Sequence, residues 1–463
     1  MREPMSNVDA AWLRIERPEN TADVVALLAF RVLPDFQRLR GLVEERLLAN
    51  PRFRQRALTR LLGGGFWEED PAFDLDAHLV RNKIETRSPR PLQSLVGEIA
   101  SVPLAPSRPL WRLHHVEQPE GGAIVAKVSH CVADGFALVG LLLSLAGQTK
   151  GSPERMRFLP AARRLAPWLE LGATARAAMT EPTRALALLK EAADLASASG
   201  RIIALPGERE TALQRPLTGH RRTAWSRGFP LARIREAARG CGGTTNDVLV
   251  AATTAALRHY LETTGEAIDE FDVRALVPVN LRPLPPWDGV GALGNRFGLA
   301  FVDLPTRARS TEERLEAVRA QHAALRRRPD AIATWMLLAA MGASPFAGVA
   351  SRFFSRKASL VITSLPGPRE HLTLLDQRIE HVLFWVPHPA TLGLGVSILS
   401  YAGEVRIGVR ADVAVMPDPA GFVRRLEAEL RIIGQRRNQP QVDRQGRRGA
   451  AHGPGAFANR RKA

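Results

Sequence analysis

Residues 123–147 read A-I-V-A-K-V-S-H-C-V-A-D-G-F-A-L-V-G-L-L-L-S-L-A-G, and the fold class turns on this stretch. Ala123 to Val128 is an apolar strand that runs into His130. Asp134-Gly135 then opens a long apolar run that reads as a helix and stops at Gly147. Upstream, residues 22–48 repeat the pairing, with the apolar strand A-D-V-V-A-L-L-A-F followed by a helix whose leucines share one face. Strand-to-helix pairing of this kind points to an α/β protein.

Further along the chain, residues 151–215 are irregular and rich in Ala, Arg and Pro, with helical stretches such as T-R-A-L-A-L-L-K-E-A-A-D-L-A. They read as a crossover between two halves. The second half opens with L-A-R-I-R-E-A-A. T-N-D-V-L-V-A-A-T-T-A-A-L-R-H-Y-L follows, a helix with Thr245 or Asn246 as its expected cap. Strands are expected at Val273 to Val279, Leu299 to Leu304 and Leu360 to Thr363. A hairpin is expected where G-V-S-I-L-S-Y meets E-V-R-I-G-V-R across Ala402-Gly403. Asp418-Pro419 caps a last helix. From Arg436 onward the composition gives nothing to bury and reads as a disordered tail. The expected organisation is an N-terminal lobe at 1–150, a linker at 151–215, a C-terminal lobe at 216–435 and a basic tail at 436–463. Each lobe should be a mixed sheet flanked by helices, with the site between them.

The chain's 463 residues supply ample apolar material for a large core. Residues 1–20 are rich in charged and polar side chains, so no signal peptide is expected there. Cys131 and Cys241 are the only cysteines, too few for a disulfide framework or a multi-cysteine zinc site, so a cytoplasmic protein without a metal is expected. The formal net charge of +17 raises nucleic acid as a partner. However, +7 of it lies after Gln435, only six of the 64 basic residues are lysine, and no recognition helix, zinc finger or RNA-binding signature is present. Attraction to anionic lipid headgroups is the better use of such a surface. Ala331 to Ala350 carries no charge over 20 residues, roughly a membrane span. Gly342, Pro345 and Gly348 interrupt it, so it reads as a pair of buried or interfacial helices.

His130 is the chemical centre of the opening stretch. An imidazole with a pKa near 6.5 is largely neutral at cellular pH and can accept a proton, which is what acyl transfer from a thioester to an alcohol requires of its base. Direct attack then needs neither a covalent enzyme intermediate nor a metal. Asp134 can orient that base or brace the turn, and the tight Asp-Gly turn favours the brace. Cys131 adjoins His130, but neighbours on an extended strand point to opposite faces, so it reads as a bystander. His114 and His115 fail as a metal pair for the same reason.

Together these residues resemble the bacterial wax ester synthase/acyl-CoA:diacylglycerol acyltransferases, within the CoA-dependent acyltransferases that share an H-H-x-x-x-D-G motif. The resemblance spans roughly residues 5–433. M-S-N-V-D-A-A-W-L, F-D-L-D-A-H-L around His78, S-R-P-L-W at Ser107 to Trp111 and T-N-D-V-L at Thr245 to Leu249 come first. V-P-V-N-L-R-P at Val277 to Pro283, L-G-N-R-F-G at Leu293 to Gly298, T-S-L-P-G-P at Thr363 to Pro368 and L-S-Y-A-G at Leu399 to Gly403 follow, in the family's order. The resemblance implies two lobes of chloramphenicol-acetyltransferase-like fold with the channel between them. His130 would be the catalytic histidine, and Asp134 and Gly135 the motif's aspartate and glycine. Pro109, Leu110 and Trp111 match its P-L-W motif, with Trp111 packing under the site. Asn246 and Asp247 match its N-D motif, either as channel wall or as helix cap and domain dock. Ser129 stands where the first motif histidine would be, and Ala105 where members often carry an acid. The implied reaction takes acyl-CoA as co-substrate and diacylglycerol or a long-chain alcohol as acceptor, at a membrane or lipid-inclusion surface, with no resident cofactor. A different hydroxyl acceptor and a non-catalytic lipid-inclusion protein remain as alternatives.

Overall fold

The computed structural model describes residues 2–85, 90–135, 138, 141, 145, 146, 182–281, 293–326 and 328–435. Most of the helix expected after Asp134-Gly135, the linker up to residue 181 and the tail fall outside them.

Two mixed sheets carry the fold. The first contains β2 (Asp23–Phe30), β5 (Leu79–Lys83), β6 (Trp111–Glu117), β7 (Gly122–Ser129), β13 (Thr373–Leu374) and β14 (Gln377–Trp385), in the order β13-β14-β2-β7-β6-β5. Only the β5/β6 pairing is parallel. The second follows the order β11-β10-β12-β15-β16-β8. Its strands are β8 (Arg221–Trp225), β10 (Val273–Asn280), β11 (Phe297–Leu304), β12 (Leu360–Pro366), β15 (Leu394–Tyr401) and β16 (Glu404–Asp412), and the two-residue β9 (Phe229–Pro230) pairs with β16 off this path. Here β12 runs parallel to both β10 and β15. A small third sheet joins β1 (Arg2–Pro4), β3 (Gln55–Thr59) and β4 (Gly65–Glu69).

The second half of the chain contributes β13 and β14 to the first sheet. Although β14 lies within the stretch assigned to the second lobe, it pairs antiparallel with β2, with Trp385 opposite Val25 and Val382 opposite Leu28. Sequence position 216 therefore divides the chain but not the sheets. The strand leaves the second half because Val382, Phe384 and Val386 join the apolar core of the first sheet, while Leu383 and Trp385 join the cluster on its other face.

The expected hairpin is present: Tyr401 pairs with Glu404, and Ala402 and Gly403 both adopt positive φ, 49° and 80°. That combination gives the two-residue turn whose twist matches the strands. In the described part of the linker, α4 (Pro182–Ala204) lays Leu195, Ala198 and Ile202 against Ala333 of α8 (Asp330–Gly342). The uncharged stretch at 331–350 is broken as expected, into α8 and the short α9 (Ala347–Ser355). The expected cap of α6 (Thr245–Thr263) is corrected by one residue. Thr244 accepts from the Asp247 N–H while the Asp247 carboxylate accepts from the Thr244 N–H, a capping box that neither Thr245 nor Asn246 could form.

Candidate active site

His130 follows the last residue of β7 and is held there by the two neighbouring strands. Its N–H donates to Ala22 O (2.7 Å), just ahead of β2, and Ser129 N–H donates to Leu110 O (2.9 Å), just ahead of β6. The P-L-W segment thus fixes the strand end through a backbone carbonyl. Trp111 lies in the core below, with Nε1 donating to Phe53 O (2.8 Å) and its ring stacked on His78 at 4.5 Å.

The imidazole of His130 is stacked on the Trp12 indole (centroids 4.2 Å) and meets the Phe297 ring edge-on at 5.2 Å. Trp12 comes from α1 (Asn7–Ile15) and Phe297 opens β11. Together they line an apolar cavity with Asp134, Gly135, Leu276, Pro278, Val361, Leu365 and Val386, drawn from both sheets. Burial in these surroundings pushes the His130 pKa down to about 3, with the Asn295 side chain and the residue's own carbonyl opposing it by less. The ring is accordingly neutral. Its Nδ1 is buried without a hydrogen-bond partner among the described residues, and so is Asn295 Oδ1.

A second-half loop closes over this turn. Gly294 N–H donates to Val132 O (3.1 Å), and Arg296 N–H donates to Asp134 Oδ2 (3.1 Å). Asn295 Nδ2 donates both to His130 O (2.6 Å) and to Asp9 Oδ1 (2.8 Å), and the Asn295 N–H also donates to Asp9 Oδ1 (3.0 Å). Burial raises the Asp9 pKa, and its bonds to Ser6 and Asn295 pull the other way. The Asp134 carboxylate therefore grips the backbone of a residue in the other half, and Asp9 and Asn295 form a bridge from α1 to the His130 carbonyl. Gly135 lines the cavity, where a Cβ would sit 3.5 Å from Val386.

Other sequence candidates lie elsewhere. Asp247 caps α6 and receives a hydrogen bond from His322 Nδ1. Burial would raise its pKa, but the bonds from His322 and Thr244 hold it below the usual carboxylate range. Asn246 has a buried Oδ1 with no partner among the described residues, and neither it nor Asp247 lines the His130 cavity. Cys131 is fully buried, accepts a hydrogen bond from Ser129 Oγ (3.3 Å), and has its thiol pKa pushed up by burial, which leaves it un-ionised. His114 bonds Asn82 and His115 bonds Pro34 O. No group of three His, Cys, Asp or Glu among the described residues is arranged to hold a metal.

Sequence reasoning assigned no role to Trp12, Asp9, Asn295 or Phe297. A signal existed in part: Ser6 followed three residues later by Asp9 is a helix-start pattern, and it places Asp9 and Trp12 on one face of α1.

Residues 5–249 match the wax ester synthase/diacylglycerol acyltransferase catalytic domain and residues 293–434 the WS/DGAT C-terminal domain. A Mycobacterium tuberculosis protein named a probable diacylglycerol O-acyltransferase is 28% identical over 458 residues, which cover 94% of this chain and 96% of that one. A Mycobacterium bovis relative is 31% identical over 476 residues, covering 93% and 90%. In fold, the chain is similar to the wax ester synthase/diacylglycerol acyltransferase from Marinobacter aquaeolei VT8 (TM-score 0.66, 23% identity, 93% and 98% covered). It is also similar to the first condensation domain of the calcium-dependent antibiotic synthetase (TM-score 0.59, 17% identity, 94% and 96% covered).

Proposed function

The chain belongs to the wax ester synthase/diacylglycerol acyltransferase family and is an O-acyltransferase, and we propose that His130 is its general base. The acceptor is the hydroxyl of diacylglycerol or a long-chain alcohol, and the donor is acyl-CoA. As the hydroxyl oxygen attacks the thioester carbonyl, its proton passes to the unprotonated ring nitrogen of His130. Collapse of the tetrahedral adduct breaks the C–S bond, and the same proton leaves with the CoA thiolate. An ester and a free thiol result.

The observation that carries this reading is a neutral, buried imidazole in the wall of an apolar cavity built by both sheets. A base with so low a pKa cannot hold a proton before the reaction starts, so transfer must accompany attack, when the developing oxyanion stabilises the imidazolium beside it. Asp134 serves as a brace: its carboxylate accepts from the Arg296 N–H and so fixes the loop carrying Asn295. The apolar walls keep water from the thioester.

We further infer that the enzyme works while docked on a membrane or lipid inclusion on the cytoplasmic side, where its acceptor resides. No helix among the described residues is long and apolar enough to cross a bilayer. The net charge of +17 favours an anionic surface.

Thiol release from palmitoyl-CoA with dioleoylglycerol tests the base. His130→Ala is expected to lower the rate by roughly 10²–10⁴, and wild-type kcat/KM should stay level from pH 8 to 5. A depressed pKa keeps the base unprotonated as pH falls through the ordinary imidazole range. No thiol from wild type, or as much from His130→Ala, defeats the proposal.

A further inference from the structure

Two segments far apart in sequence come together at the surface behind the His130 cavity, and both expose large apolar side chains. One is the tip of the β3–β4 hairpin, Leu61-Leu62, with the two leucines 91% and 84% exposed. The other is the α8–α9 corner, where Phe346 and Val349 are 71% and 68% exposed and Met336 and Phe353 are also open to solvent. The backbones touch. Gly64 N–H donates to Gly342 O (2.8 Å), and a Cβ on Gly63 would lie 2.0 Å from Ala343 O. Arg14 of α1 ties the hairpin down through Arg60 O and Gly64 O.

This patch is cationic around its rim. Residues 57–67 and 331–356 contain no acidic residue, while Arg60, Arg352 and Arg356 are exposed and have no carboxylate partner among the described residues. Apolar tips ringed by arginine are complementary to an anionic lipid surface, where the leucines and phenylalanines enter the acyl boundary and the guanidinium groups meet phosphates.

The same helices form a thin wall over an interior cavity. Thr334, Leu337, Leu338 and Met341 of α8 and Ser351 and Phe354 of α9 line a second apolar pocket, which shares Trp12, Leu276, Leu299 and Pro389 with the one at His130. These pockets hold only about 40 and 30 Å³, space for water rather than for a lipid chain. Admission of a lipid chain therefore needs the wall to move.

We propose that the hairpin tip and the α8–α9 corner form a single lipid-insertion surface through which the acceptor passes, between α8 and α9 and past Trp12, to His130 without crossing water. This rests on the acyltransferase reading and adds to it the surface and the route.

The test uses the full chain, vesicles of phosphatidylcholine with phosphatidylglycerol, and two acceptors, vesicle-borne dioleoylglycerol and dissolved hexanol, with octanoyl-CoA as donor. Leu61→Ser/Leu62→Ser and Phe346→Ser/Val349→Ser should each lower vesicle partitioning and dioleoylglycerol acylation by about tenfold or more. Hexanol acylation should stay within twofold of wild type. Partitioning equal to wild type in both variants overturns the proposal. So does an equal loss on both acceptors, and so does a vesicle-free dimer that the substitutions turn into monomer, which would make the patch a protein interface. If wild type partitions through this surface yet acylates neither acceptor, the catalytic reading has failed and the surface stands. If wild type acylates both and the variants partition normally, the reverse holds.

Discussion

The two faces of the sheet at the end of β7 carry opposite kinds of chemistry. On the cavity side stand His130, Trp12, Phe297 and a ring of aliphatic side chains. On the other side, Ser129 and Lys127 follow the strand's alternation, and Asp23 lies opposite Ser129 across the β2/β7 pair. Lys127 Nζ is 3.1 Å from Asp23 Oδ2, with both side chains buried. Burial pushes the Arg410 pKa down to about 9, with Arg221 adding to the shift, and the Arg410 guanidinium donates to Asp23 O and Val386 O. Arg221 pairs with Asp412 at 2.7 Å and reaches Glu19 O and Asn20 Oδ1. The bonds from Arg410 to Asp23 O and from Arg221 to Glu19 O and Asn20 Oδ1 join residues of the first half to residues of the second. The back face therefore locks the lobes with buried, directional contacts. On the front face hydrogen bonds of Asp9, Asp134 and Asn295 tie the loop beside His130, while the cavity walls themselves are apolar and can part for a lipid and close without breaking an ion pair.

The sharpest way to break this division is Asp23→Ala. It leaves Lys127 buried without its carboxylate and is expected to cost about 3–5 kcal/mol of unfolding free energy by denaturant titration. Turnover per folded molecule should remain close to wild type. Replacing both partners, Asp23→Leu with Lys127→Met, should recover most of the stability, because no charge is then stranded. If Asp23→Ala is stable but inactive, the back face takes part in the chemistry and the comparison is wrong.

Asn295 sits where the two halves meet on the front face. Asn295→Ala removes the link from Asp9 to the His130 carbonyl, so the imidazole is held less firmly against Trp12. Its kcat should fall by about tenfold with KM little changed, the pattern of a positioning residue. A rise in KM with unchanged kcat would instead make Asn295 part of the substrate-binding surface.

How much of this was legible depended on the range of the contacts involved. The β7–His130–Asp134 unit, the β15–β16 hairpin with its Ala402-Gly403 turn and the break in the 331–350 stretch are local patterns, and each is where the sequence puts it. The placement of β14 in the first sheet is not local. Its apolar alternation is interrupted by an irregularity between Ile379 and His381, and its partner β2 lies some 350 residues upstream, so neither strand announces the other. The same holds for Trp12 and Asn295, which matter only because α1 and the 293–297 loop converge on one turn. Thr244 stands beside two residues with equally suitable capping side chains, and only the reciprocal bond with Asp247 distinguishes it.

Ser129 offers the smallest effect and the finest test of the two-face division. The family motif places a histidine there, yet the alternation of β7 turns this position away from the cavity, toward Asp23 and Lys127. Among the described residues its hydroxyl makes one weak bond, to Cys131 Sγ. Ser129→Ala should therefore change acyl transfer by less than about twofold, since a single neutral hydrogen bond remote from the reacting atoms is lost. Ser129→His restores the motif but adds bulk to a fully buried site, and it should not raise kcat, because the new ring would face the ion pair and not the thioester. A clear gain in kcat with Ser129→His would show that this position communicates with the cavity through the sheet. The back face would then tune the base as well as lock the lobes.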